Sequence, residues 1–192
     1  MAKYILFDGT TTENFTALDG SPANWILGDD GSMTVRSGNI VSRLTYGDAH
    51  IHVEWMEPDM PNAVGQDKGN SGVYIHGCYE LQVLDSFGKE DPQNDDCGGI
   101  YQNYKPRVNA CKPALEWQTY DIIFRAPRFE NGNMTEAARA TILQNGTVIH
   151  NNIILHRATP GGVTEHTVAE GPLMLQDHGN PVKFRNIWIE TL

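Results

Sequence analysis

The sequence has no apolar run approaching the roughly 18 residues that a membrane-crossing helix needs. Nor does it have a stretch of 3.6-residue apolar periodicity that reads as an amphipathic helix. Basic residues are scarce: 14 Lys and Arg stand against 24 Asp and Glu, a formal net charge of −10. That balance argues against nucleic acid or an anionic membrane surface as partner, since both reward Lys and Arg. A neutral ligand such as a sugar is not excluded. There are only three cysteines, Cys78, Cys97 and Cys111. An odd number implies no complete disulfide framework, although a Cys97–Cys111 bridge is compatible with the sequence. Three reduced thiols in a cytosolic protein is the preferred reading. No close Cys or His pair of the C-x-x-C kind suggests a zinc site. Phosphate loop, dinucleotide fingerprint, Gly-x-Ser-x-Gly elbow and His-Glu-x-x-His are all missing. The N-terminus, Met1 to Phe7, is too short and too soon polar for a signal peptide. The expected compartment is therefore the cytoplasm, or a secreted or periplasmic one if a leader was removed.

What is present is period-two alternation. In Ala49–Met56, Ile51, Val53 and Trp55 face one side and His50, His52 and Glu54 the other. Tyr79–Val83 sets Glu80 and Gln82 opposite Leu81 and Val83, and Trp117–Phe124 reads as another strand. Asn145-Gly146, between two apolar-rich runs, is a strong hairpin signal. With about a dozen short strands punctuated by Gly and Pro, the chain reads as an all-β antiparallel β-sandwich. Its 192 residues suit one domain spanning 1–192 with a two-layer core. Two long loops, Glu57–Gly69 and Phe87–Gly99, flank the central polar strands, where each would wall a cleft.

Candidate chemistry lies in two clusters. One is mid-chain: Asn70, His76, Glu80, Gln82 and Asp85. Glu80 and Gln82 share a face, whereas Asp85 has the opposite parity unless a bulge re-aims it. Gln82 cannot ionise, so this is not the carboxylate pair of a double-displacement glycosidase. The other is C-terminal: Gln176, Asp177 and His178, a Gly179-Asn180-Pro181 turn, then Arg185 and Asn186 on a strand expected to pair with the one before the turn. His178 suits a general base. A divalent cation held by Glu80, His178 and Asp177 is the one cofactor with candidate ligands. His50 and His52 read as an exposed outer face, while Glu54 lies nearer the cleft loop. Tyr74, Tyr101 and Tyr104 are candidates for stacking on sugar rings, and Trp117 and Trp188 for the core.

Several blocks together resemble the 3-keto-disaccharide hydrolase family, whose members resemble concanavalin A-like jelly rolls. They are Leu6-Phe-Asp-Gly9, Asn70-Ser-Gly-Val73, Tyr79-Glu-Leu-Gln-Val-Leu-Asp85, Gly98-Gly-Ile-Tyr101, Glu116-Trp-Gln118 and Leu175-Gln-Asp-His-Gly179 with Phe184-Arg-Asn-Ile187. Departures are His76, where Arg is frequent, and Leu115-Glu-Trp-Gln118 for the usual Gly-Glu-Trp-Asn. The resemblance implies a glycoside substrate already oxidised at C3 by a sugar 3-dehydrogenase acting upstream. The ketone acidifies the C2 proton; its removal gives an enolate that expels the aglycone from C1, and water then adds to the enone. Within that scheme His178 or Glu80 is the C2 base, and Arg185 or a cation stabilises the enolate. Asn70, Gln82, Gln176 and Tyr101 orient hydroxyls, with Glu54 and Asp85 as further binding candidates, and His76 donates to the departing oxygen. Two other readings compete: a non-catalytic lectin-like module and a laminarinase-like hydrolase needing a second carboxylate. An exposed sheet edge would permit a homodimer.

Overall fold

A computed structural model describes residues 1–192. Its strands, in chain order, are β1 (Lys3–Phe7), β2 (Phe15–Ala17), β3 (Ile26–Leu27), β4 (Met33–Thr34), β5 (Ile40–Tyr46), β6 (Ala49–Met56), β7 (Ser71–Ile75) and β8 (Tyr79–Val83). There follow β9 (Gln118–Arg125), β10 (Arg128–Glu130), β11 (Asn133–Glu136), β12 (Ala138–Gln144), β13 (Thr147–Leu155), β14 (Gly171–Leu175) and β15 (Lys183–Thr191). A single 3-10 turn, Gly65–Asp67, interrupts the long loop before β7. No helix is long and apolar enough to cross a membrane.

The strands form the two antiparallel layers of a jelly-roll sandwich. The larger sheet runs β13-β12-β9-β6-β15-β4-β3, with β1 also paired to β15. One edge of β15 is thus shared end to end: Lys183 and Phe184 meet β4, and Ile187–Glu190 meet β1. The smaller sheet runs β2-β5-β14-β7-β8, and β10-β11 is a separate hairpin.

Alternation decides what faces inward. Ile51, Val53 and Trp55 from β6 and Tyr120, Ile122 and Phe124 from β9 are buried, as are Val73, Leu81, Val83, Leu173 and Leu175 from the smaller sheet. They belong to one hydrophobic cluster of 36 buried residues. The Asn145-Gly146 turn joins β12 to β13 with both residues at positive φ, 51° and 79°. That double positive φ matches the twist of the flanking strands and is why Asn-Gly is favoured there.

One expectation fails. The Gly179-Asn180-Pro181 turn does not close a hairpin. β14 is already flanked by β5 and β7, so the chain crosses to the other layer, where β15 pairs with β6. The tryptophans also depart from expectation. Trp117 and Trp188 lie half-buried outside the core, under Arg185 and Lys3 respectively, whose charged ends sit 3.9 and 3.6 Å from the ring centroids.

Candidate active site

β7 and β8 are buried on both faces. Their inner residues meet the core. Their outer residues, Gly72 and Tyr74 opposite Gln82 and Glu80, lie beneath loops. A strip at 98–101 closes the free edge of β8: Gln82 N–H donates to Gly99 O, Gly98 N–H to Gln82 O and Tyr101 N–H to Glu80 O, at 2.9, 3.0 and 3.1 Å. At the same edge, the Glu80 N–H donates to Thr159 Oγ1 at 2.8 Å. Of the two long loops foreseen as walls, Glu57–Gly69 supplies Gln66 to the cavity, while Phe87–Gly99 supplies no lining residue and only covers the β8 edge through Gly98 and Gly99. A third wall, Thr159-Pro160-Gly161, has no signal in the sequence beyond its Pro-Gly-Gly run.

These elements enclose a cavity of about 130 Å³ lined by Gln66, Asn70, Tyr74, Glu80, Gln82, Tyr101, Pro160, Gly161, Gln176 and His178. Glu80 is 3 % exposed. Burial pushes its carboxyl up to about 7, and a contact from the Tyr74 hydroxyl offsets this only in part. That hydroxyl is itself well anchored: it donates to Pro160 O at 3.0 Å and accepts from Gln176 Nε2 at 3.1 Å. Gln82 Nε2 donates to Gln66 Oε1 at 2.9 Å; with the amide turned over, its nitrogen lies 3.2 Å from both Glu80 Oε1 and Ser71 O, but its oxygen then faces Gln66 Oε1. Two buried lining oxygens, Asn70 Oδ1 and Gln176 Oε1, have no hydrogen-bond partner. Such groups are costly unless a ligand satisfies them, and a hydroxyl-rich molecule would. No second carboxylate and no Lys or Arg lines the cavity.

Glycine at position 72 is required by this geometry. A Cβ there would stand 2.7 Å from Glu80 Oε1 and 3.1 Å from a Tyr74 ring carbon. Gly72→Ala is expected to displace the carboxyl and lower kcat/KM by roughly 10²-fold, the cost of a misplacement near 1 Å. A melting curve alongside the kinetics checks that the fold survives.

The candidates named from the sequence divide into two groups. Asn70, Glu80, Gln82, Tyr101, Gln176 and His178 converge on the cavity, with His178 exposed at its rim. Tyr74, named as a stacking candidate, is there too, and Gln66, Pro160 and Gly161 join them. Arg185 and Glu54 do not. They are register partners in the larger sheet, joined by an ion pair at 2.6 Å, because β15 pairs with β6 rather than β14. His76 turns inward at φ 53° and is fully buried, its ring nitrogens 3.2 Å from Val168 O and Gly47 O. Asp85 ties two loops together through Lys68 at 3.0 Å, with no bulge to turn it. Tyr104 donates to Ile154 O at 2.9 Å and so braces β13. Asp177 is occupied by backbone: its oxygens accept from Gly38 N–H at 2.6 Å and Gly179 N–H at 2.8 Å. The set Glu80, Asp177 and His178 is therefore not assembled as metal ligands, and no three His, Cys, Asp or Glu side chains form a metal-holding group. His50 and His52 occupy the outer face of the larger sheet as expected, sharing Asp121 Oδ1 at 3.4 and 2.7 Å.

The profile of the 3-keto-alpha-glucoside-1,2-lyase-like domain family matches residues 4–190. The chain belongs to this family. It is similar to a solved protein from Parabacteroides distasonis ATCC 8503 described as a "putative glycosyl hydrolase", with 35 % identity and a TM-score of 0.91 over 99 % of this chain and 84 % of that one. A second protein of the same description and organism shares 20 % identity, with a TM-score of 0.72 over 99 % of this chain and 94 % of that one. The alginate lyase Aly36B, solved as a mutant with an alginate tetrasaccharide, shares the fold at 10 % identity and a TM-score of 0.52, over 99 % and 97 % of the two chains. Among curated proteins, none is significantly similar to the chain. Membership of the family supports a carbohydrate-active function.

Proposed function

We propose that this protein cleaves 3-keto-glycosides by removing the C2 proton, eliminating the aglycone from C1 and hydrating the enone. The observation that carries the reading is a single carboxyl, Glu80, poised near neutrality by burial in a cavity with no second carboxylate. Elimination needs one base; double displacement needs two carboxyls about 5 Å apart. The family and the relative at 35 % identity support a carbohydrate-active enzyme of this kind.

Glu80 is the C2 base, because a base with this pKa is substantially ionised at neutral pH yet still holds a proton well. The Gln82 amide, in the cavity lining beside Glu80, helps to orient the sugar. Asn70 Oδ1 and Gln176 Oε1 accept from sugar hydroxyls and fix the ring. His178 at the open rim faces the aglycone side and protonates the departing oxygen. No step is routed through a cation.

The test is aglycone release from an aryl glucoside and, separately, from its 3-keto derivative. Release from the keto compound alone supports the reading. Release from the plain glucoside would point to ordinary hydrolysis, and binding of sugar without release from either would point to a lectin-like module. Arg185 serves as the internal control. Arg185→Ala is expected to leave kcat/KM for the keto substrate unchanged, since its side chain faces away from the cavity on the other sheet.

A further inference from the structure

Cys97 and Cys111 sit outside the proposed chemistry but share one partner. Both sulfurs accept from Gln144 Nε2, at 3.4 and 3.3 Å. The two positions differ in access. Cys97 is 1 % exposed and lies against the Tyr120 hydroxyl at 3.3 Å. Cys111 is half-buried and lines an open groove of about 470 Å³ with Phe87, Lys89, Arg107 and Val108. Glu90 lines the same groove and Lys89 is paired with Asp96 at 2.6 Å, so Arg107 is the cation left at the mouth to meet a carboxylate of an incoming reagent. The third cysteine, Cys78, is buried, and its thiol is pushed up to about 12, chiefly by burial.

We infer that Cys111 and Cys97 form a reactive pair: Cys111 is the thiol that an acidic small-molecule disulfide of the glutathione class meets, and Cys97 is the thiol that resolves it. The Cys111 thiolate attacks one sulfur of the oxidant. The oxidant's S–S bond breaks, one reduced thiol leaves, and a mixed disulfide remains on Cys111. Cys97 then gives up its proton and attacks Cys111 Sγ. The mixed bond breaks, and the second reduced thiol leaves with the protein disulfide formed. Two protein thiols lose two electrons in total, and the oxidant gains them as two thiols.

The second step is the slow one. Burial first, and then Cys111 alongside, push the Cys97 thiol far above its ordinary range, so little of it is ionised near neutral pH. The consequence reaches the cavity wall. Cys97 immediately precedes Gly98 and Gly99, whose backbone pairs with Gln82, so the bridge would pin that strip to the 105–117 loop.

The experiment is to treat the native, reduced protein with oxidised glutathione and follow intact mass, remaining thiols and disulfide-linked peptides over time. The expected course is an adduct on Cys111 that converts to a product two hydrogens lighter than the starting protein. That product retains one thiol, Cys78, of the original three. Its thermal midpoint should be higher than that of the reduced protein. Cys111→Ser, at the partly exposed position, should block both stages, and Cys78→Ser neither. A stable adduct on Cys111 that never passes to Cys97, or a native protein that does not react while the denatured chain does, would overturn the inference. Neither outcome touches the reading of Glu80, which is tested on the keto substrate.

Discussion

Glu80→Gln should lower kcat/KM on a 3-keto-glycoside by about 10²–10⁴-fold, the range a positioned general base contributes. The substitution keeps size and shape but removes the group proposed to accept the C2 proton. Its effect should fall on kcat more than on KM, because Asn70, Gln82, Gln176 and Tyr101 still line the cavity and hold the sugar. In the unmodified protein, the acid limb of kcat/KM should rise with pH through about 7, following ionisation of the buried carboxyl. The sign is fixed by the role. A base works in its deprotonated form, so activity is lost on the acid side. Were Glu80 the acid instead, the limb would fall with rising pH. Single-turnover kinetics of the Gln variant across the same range should show that limb gone. A variant retaining the limb would move the base to His178.

How far the sequence led can be read from individual residues. The inward set of β6 and the Asn145-Gly146 hairpin followed from local pattern, since alternation and paired positive φ are properties of a few neighbouring residues. That Glu80 and Gln82 share a face was legible for the same reason. That this face is buried was not. Its cover comes from Gln66, the strip at 98–101 and Thr159–Gly161, which are distant in sequence from β8 and from one another. The error over Arg185 has a clear cause. A Gly-Asn-Pro turn between two apolar strands looks the same whether it closes a hairpin or passes from one layer to the other. Only the occupancy of both edges of β14 decides, and that depends on β5 and β7. Arg185 was carried to the wrong sheet by that one ambiguity, whereas Glu54 was drawn towards the cleft by its nearness to the Glu57–Gly69 loop. Trp117, just before β9, and Trp188, on β15, show a related limit: an aromatic is read as core by composition, yet a cation over its face satisfies it outside the core.

The same burial that readies Glu80 should make its replacement stabilising at alkaline pH. An ordinary glutamic acid ionises near 4.5, whereas Glu80 in the folded protein does so at about 7. Between those values the folded state holds a proton that the unfolded chain has released. Stability from this group is therefore present below pH 4.5, falls as pH rises through the window, and stays at its lower level above about 7. The difference corresponds to about 3 kcal/mol as an order of magnitude. The whole-protein curve mixes this with terms of opposite sign. His76 and His150 are pushed down by burial, so unfolding takes up protons below their ordinary range and stability there rises with pH. Comparing Glu80→Gln with the unmodified protein removes those shared terms. The gap in thermal midpoint should be near zero at pH 4.5 and grow to pH 7. Beyond that it should hold constant, at roughly 2–4 °C per kcal/mol for a chain of this size. Glu57 supplies the contrast. It too is pushed up to about 7 by burial, but it accepts from Trp55 Nε1 at 2.8 Å and Gln118 Nε2 at 2.6 Å. Glu57→Gln would aim an amide nitrogen at one of those donors and should gain less or lose stability. A buried carboxyl already served by two donors belongs to the architecture; one left with few donors beside unpartnered amide oxygens is held at a cost in stability that a proton-abstracting role would explain.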